Sequence, residues 1–141
     1  MSDKLDVVGI GNAMVDAIIP SNQSEIEKHE INRDSMNLID ENLKNNLHES
    51  YSIREMAGGG SLGNSMFGIT SFGGNGSFIG KIKNDEIGVY LQKDMIREGL
   101  KFPLGFTSPD ISTGCCTIFV EEDGTRTMCT FLGAGTLIGP K

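Results

Sequence analysis

The chain has 141 residues, long enough for one domain with a real core, and its 38% apolar and 22% charged content excludes a low-complexity or fibrous chain. Twelve basic residues against nineteen acidic ones give a net charge of −7, which disfavours nucleic acid and anionic membranes as partners. Cys115, Cys116 and Cys129 match no zinc spacing, and their odd number argues against a disulfide framework, so all three are expected as reduced packing residues on strands.

The start Met1-Ser2-Asp3-Lys4 lacks the basic flank and apolar core of a secretory leader, and no run approaches the roughly 20 apolar residues that span a bilayer. A cytoplasmic location is the expectation. Leu5 to Ile10 reads as a buried strand ending in Gly-Ile-Gly-Asn, and Ala13 to Ile19 resumes strand character. Ser21 or Asn22 caps a short charged helix reaching His29, Ser35 to Ile39 is a short strand, and Asp40 caps a helix carrying Leu43, Leu47 and Tyr51. Ser61 is the expected cap of the next helix, with Leu62, Met66, Ile69 and Phe72 on one face and Gly73-Gly74 as the stop. Ser77 to Ile82 follows as a strand, and Asp85 opens a helix with Ile87, Leu91 and Met95 on one side, ending near Gly99. Thr113 to Val120 and Thr125 to Phe131 form a hairpin about Glu121-Glu122-Asp123-Gly124, since Asp-Gly favours the tight turn that joins twisted strands. Strands alternating with helices give an α/β class, and the hairpin with the short strands near 15 and 37 forms a separate small sheet.

Gly9-Ile10-Gly11-Asn12-Ala13-Met14 imitates a dinucleotide fingerprint, but Met14 stands where the third glycine belongs and no helix follows, so that reading is rejected. What remains near the end of the first strand is an amide, Asn12, and a carboxylate, Asp16, where ligands of open α/β sheets tend to sit. An ionised carboxylate accepts two hydrogen bonds at once, so Asp16 can grip adjacent hydroxyls of a sugar ring; the competing reading is a turn cap. In Ala57-Gly58-Gly59-Gly60-Ser61-Leu62-Gly63-Asn64-Ser65 the glycines allow close approach of a ligand to the backbone, and Asn64 adds an amide just inside a helix start. His29 and His48 are read as surface histidines on polar helices. No Ser-His-Asp, H-E-x-x-H or P-loop pattern and no metal-ligand cluster is present.

That glycine run, with Gly73-Gly74 and Phe78-Ile79-Gly80-Lys81 after it, resembles the first signature of the PfkB family of carbohydrate kinases, the ribokinase and adenosine kinase relatives. Gly59, Gly60, Asn64, Gly73 and Gly80 stand in its places, with Asp85 and Gly88 close behind, while Gly63 replaces a usual Ala and Lys83-Asn84 departs from a usual Gly. The resemblance runs from Asp6 to about Gly133. It implies the N-terminal part of a ribokinase-like three-layer fold with a small β-sheet lid. Residues 1–141 would be the substrate-binding and lid portion, the nucleotide-binding and catalytic-base half being absent.

By the same resemblance Asn12, Asp16, Gly59, Gly60 and Asn64 hold a sugar or nucleoside, and Arg126 is a secondary lid contact whose competing reading is a solvated charge. Gly133-Ala134-Gly135-Thr136 is similar to the family's catalytic Gly-Ala-Gly-Asp, but Thr136 cannot act as the base and the motif falls at the lid exit. The complete enzyme would use ATP and Mg²⁺, with none bound by this segment alone and no phosphoryl transfer from it in isolation; the adenosine kinase-like branch is favoured. A lid-mediated dimer or self-association is expected. A second class stays open: a noncatalytic carbohydrate- or nucleoside-binding, or lid-mediated interaction, module.

Overall fold

β1 (Val7–Ile10) and β5 (Gly76–Ile79) pair in parallel in the computed structural model, which describes residues 4–140; the leader reading at residues 1–3 lies outside them. A parallel pair needs a long crossover. Here the crossover carries most of a second sheet and α3 (Ser61–Ser71), which packs back on β1 and β5. The second sheet contains β2 (Met14–Pro20), β3 (Met36–Leu38), β4 (Glu55–Gly59), β8 (Gly114–Val120) and β9 (Arg126–Phe131), in the order β3-β9-β8-β2-β4. β8 and β9 form the expected antiparallel hairpin, β2 joins β8 in parallel, and β3 joins β9 in parallel. A separate small sheet holding the hairpin is therefore present as expected.

Alternation along β2 sends Val15, Ala17 and Ile19 into the interior and Met14, Asp16 and Ile18 to the other face. One apolar cluster gathers Val15, Met66, Phe78, Leu91 and Met95; a second gathers Ile19, Ile26, Leu47, Phe119 and Cys129 beneath α1 (Gln23–Glu27) and α2 (Glu41–Ser50). The three cysteines are free and buried on β8 and β9, and burial pushes the Cys115 and Cys129 thiols up to about 12.

Several elements differ from the expectation. The strand read over Ser77 to Ile82 divides, because β1 ends opposite Ile79; β6 (Ile82–Lys83) then turns to β7 (Phe106–Ser108). β4 occupies part of the glycine run, where low strand propensity gave no signal and the edge of β2 imposes extended backbone. Asn22 caps α1 by accepting from Glu25 N–H, and α1 ends at Glu27. Gly60, at φ +79, and not Ser61, caps α3, with no side-chain bond. Phe72 is 95% exposed, since it lies past the last helical turn and off the packed face. Asp40 and Asp85 cap α2 and α4 (Glu86–Arg97) as expected.

Candidate functional site

Asp16 sits at the middle of β2, opposite Ala57 on β4 and Cys116 on β8. Its side chain leaves the sheet on the face opposite α2, because α2 reaches β8 through His48 and Thr117, and Thr117 is level with inward-facing Ala17. The carboxylate is half-buried and makes no hydrogen bond or ion pair with any described residue. Burial pushes its pKa above the usual 3.8.

What lies under the carboxylate is backbone. A Cβ added to Gly59 would fall 2.3 Å from Asp16 Cγ and 2.4 Å from both oxygens, so only glycine leaves room for this side chain. At Gly60 the positive φ favours glycine, and a Cβ there would stand 3.1 Å from Met14 Cγ and 3.6 Å from the Asn12 carbonyl. The Gly60 carbonyl accepts from Asn64 N–H at 2.9 Å, which opens α3 and places Asn64, exposed, in its first turn. With no side-chain cap, the first N–H groups of α3 are open to an oxygen ligand. Asn12, also exposed, lies between β1 and β2, and its Cα and Oδ1 are each 3.1 Å from where a Cβ on Gly135 would stand.

Three remote segments thus converge: the β1–β2 loop with mid-β2, the β4–α3 junction, and the 3-10 helix Gly133–Leu137. Asp16 touches Gly59, Asn12 borders Gly60, and Gly60 bonds Asn64. Chemically this is a carboxylate free to accept two O–H donors, beside bare backbone and two amides. The sequence reading missed Gly135, assigned to the lid exit, Cys116, which flanks Asp16 on the same face, and Thr130 one strand beyond, whose Oγ1 donates to Cys116 Sγ at 3.4 Å. The alternation of β8 and β9 would have shown the latter two once the register was known.

Arg126 is not brought into this group. It is exposed opposite Val120 at the far end of the hairpin, four residues along β9 from Thr130, or about 13 Å at strand rise. The histidine reading is corrected: both are half-buried and hydrogen-bonded rather than freely exposed. His29 bonds the Tyr51 hydroxyl at 2.8 Å beside Phe119, and His48 Nε2 bonds Thr117 Oγ1 at 2.8 Å. Burial first, then Lys44, lowers the His48 pKa, with Glu86 opposing. His48 lines a cleft of about 390 Å³ with Lys44, Met56, Asp85 and Ser112, on the sheet face away from Asp16.

Among the described residues no group of three or more His, Cys, Asp or Glu is placed to hold a metal ion. No helix among them is long and apolar enough to cross a membrane.

The pfkB family carbohydrate kinase profile matches residues 4–138. No curated protein matches the chain. Among solved structures, a probable sugar kinase from Rhizobium etli CFN 42 is 33% identical with a TM-score of 0.84, over 96% of this chain and 41% of that one. Adenosine kinase from Sinorhizobium meliloti is 36% identical with a TM-score of 0.86, over 97% of this chain and 42% of that one. Adenosine kinase from Anopheles gambiae shares the fold, at 23% identity and a TM-score of 0.83 over 95% of this chain and 41% of that one. The chain therefore spans about two fifths of the length of the kinases it matches, and its fold is the N-terminal part of the ribokinase-like α/β architecture, small sheet included. By the profile, the glycine signature and the two bacterial kinases together, the chain belongs to the pfkB family of carbohydrate kinases.

Proposed function

We propose that this chain is the sugar-holding part of an ATP-dependent kinase that phosphorylates a hydroxyl of a nucleoside or sugar. The observation that carries the reading is the Asp16 carboxylate, half-buried on bare Gly59 and without a hydrogen-bond or ion-pair partner among the described residues. Asp16 accepts from two ring hydroxyls, Gly59 and Gly60 let the ring approach, and Asn12 and Asn64 contribute amides at its edge. The identity to the Sinorhizobium meliloti enzyme supports a nucleoside of adenosine type as substrate. Residues for ATP, Mg²⁺ and the proton-accepting base are assigned outside residues 1–141. The isolated chain then binds substrate without phosphoryl transfer. Three free, buried cysteines support a cytoplasmic location.

The test is calorimetric titration of the chain with adenosine and with ribose, beside an assay with ATP and Mg²⁺. Saturable binding that Asp16→Asn weakens roughly 10–100-fold, as loss of charge-assisted hydrogen bonds predicts, supports the reading. Turnover by the isolated chain, or binding indifferent to Asp16, contradicts it. A noncatalytic interaction module is the second reading, and Met36 and Leu38, 56% and 67% exposed on the edge strand β3, favour it. Sugar-independent dimerisation abolished by charge at Leu38 would establish that alternative.

A further inference from the structure

Among the described residues β4 is an edge strand, hydrogen-bonded on one side to β2 and on the other to no strand. An open edge leaves alternate N–H and C=O groups needing partners. Here α4 supplies them. The Asp94 carboxylate accepts from Gly58 N–H at 2.9 Å, and the Tyr90 hydroxyl donates to the Met56 carbonyl at 2.5 Å. Tyr90 and Asp94 are four apart, hence on one face of the helix, while Met56 and Gly58 are two apart, hence on one edge of the strand. The two periodicities meet, and two side chains of α4 stand in for the missing neighbour strand.

Asp94 is 6% exposed, an unusual position for a carboxylate, and Arg97 is its ion-pair partner. Gly58 is shaped around it: a Cβ there would lie 2.9 Å from Asp94 Oδ2 and 2.7 Å from the Phe67 ring. Immediately after this bond the backbone enters Gly59, over which Asp16 lies, and Gly60, where α3 begins.

We propose that Asp94 is a positioning residue: from α4 it fixes the free edge of β4, and thereby the Gly59–Gly60 turn on which the Asp16 carboxylate rests. The consequence for substrate rests on the reading of Asp16 as a sugar ligand; the positioning itself does not. Asp94 touches no substrate and acts through Gly58. Arg97 fixes the carboxylate from the solvent side and is dispensable to the turn, because Gly58 bonds Oδ2 and Arg97 bonds Oδ1.

The whole 141-residue chain is to be compared with Asp94→Ala, Asp94→Leu, Asp94→Asn and Arg97→Gln. Three readouts are taken: hydrogen exchange of the Gly58 amide, NMR titration of the Asp16 carboxyl, and adenosine affinity by calorimetry. Asp94→Ala, or Asp94→Leu if the alanine variant does not fold, is expected to speed Gly58 exchange at least tenfold. It should also return the Asp16 titration toward 3.8 and weaken adenosine about tenfold. Asp94→Asn keeps an acceptor and should stay within about threefold of the parent chain in exchange and affinity, as should Arg97→Gln. A folded Asp94→Ala or Asp94→Leu chain with parental exchange and an unmoved Asp16 titration overturns the proposal, as does a failure of Asp94→Asn to rescue. If the parent chain binds neither adenosine nor ribose, the sugar reading fails, and the first two readouts still decide the role of Asp94.

Discussion

Two titrating side chains on opposite faces of one sheet give opposite signs to the pH dependence of stability. Asp16 has a folded pKa raised above 3.8 by burial, so the folded chain binds the extra proton in that window and stability falls as pH rises through it. Asp16→Asn removes this cost, and thermal unfolding at pH 7 should show the variant more stable than the parent even as it loses ligand. Equal melting temperatures would mean that the carboxylate is already compensated. His48 has a folded pKa lowered below 6.5, so its contribution is whole above 6.5 and is lost as pH falls from there through the lowered folded pKa. Denaturant midpoints between pH 8 and 5 should decline for the parent chain and decline less for His48→Gln. Gly59→Ala puts a methyl into the Asp16 carboxylate and should cost about 1–3 kcal/mol, with loss of ligand, because the side chain has to leave its place. Asp16 and Gly59 were each visible as chemistry in the sequence, but their contact was not, since it depends on a register between strands some forty residues apart. His48 misled for a related reason: exposed Asn45, Asn46 and Glu49 surround it in sequence, and only the seat of α2 on β8 turns it inward.

Among elements, the hairpin, the caps at Asp40 and Asp85 and the stop at Gly99 were legible because each is local: an Asp-Gly turn, a side chain reaching three residues on, a glycine at φ +86. β4 and β7 were not, because their residues carry no alternation and partner strands impose their backbone. The same logic explains α3, whose start is set by the left-handed turn at Gly60 and not by the serine that follows. The two apolar clusters share no residue, one centred on Phe78 and the other on Phe119. Phe78→Ala and Phe119→Ala should each cost about 3–5 kcal/mol by the cavity left behind. Their sum should match the double variant within about 0.5 kcal/mol, as for independent sites, if both singles remain folded enough to measure. A larger coupling would show that the two clusters act as one core.

For the molecule as a whole, apolar side chains stand open on several elements: Ile10 at 66%, Ile96 at 60% and Val8 at 48%, with Phe72 almost wholly in solvent. Faces of this kind promote association, and a net charge of −7 opposes it only in part. Light scattering over a concentration series should therefore show mass growing with concentration; a constant monomer would contradict that expectation. The α/β class and the separate sheet were readable from the order of elements, and the family from the glycine signature. The arrangement that gives Asp16 its chemistry appears only when three remote segments of chain meet. The central claim is that this meeting point holds a sugar hydroxyl pair, and the direct test is an NMR titration of the chain with adenosine, following backbone amides. The account predicts saturable shifts centred on Asn12, Asp16, Gly59, Gly60 and Asn64, absent in Asp16→Asn. Shifts centred instead on the Lys44 and His48 cleft, or no saturable shift at all, would contradict it.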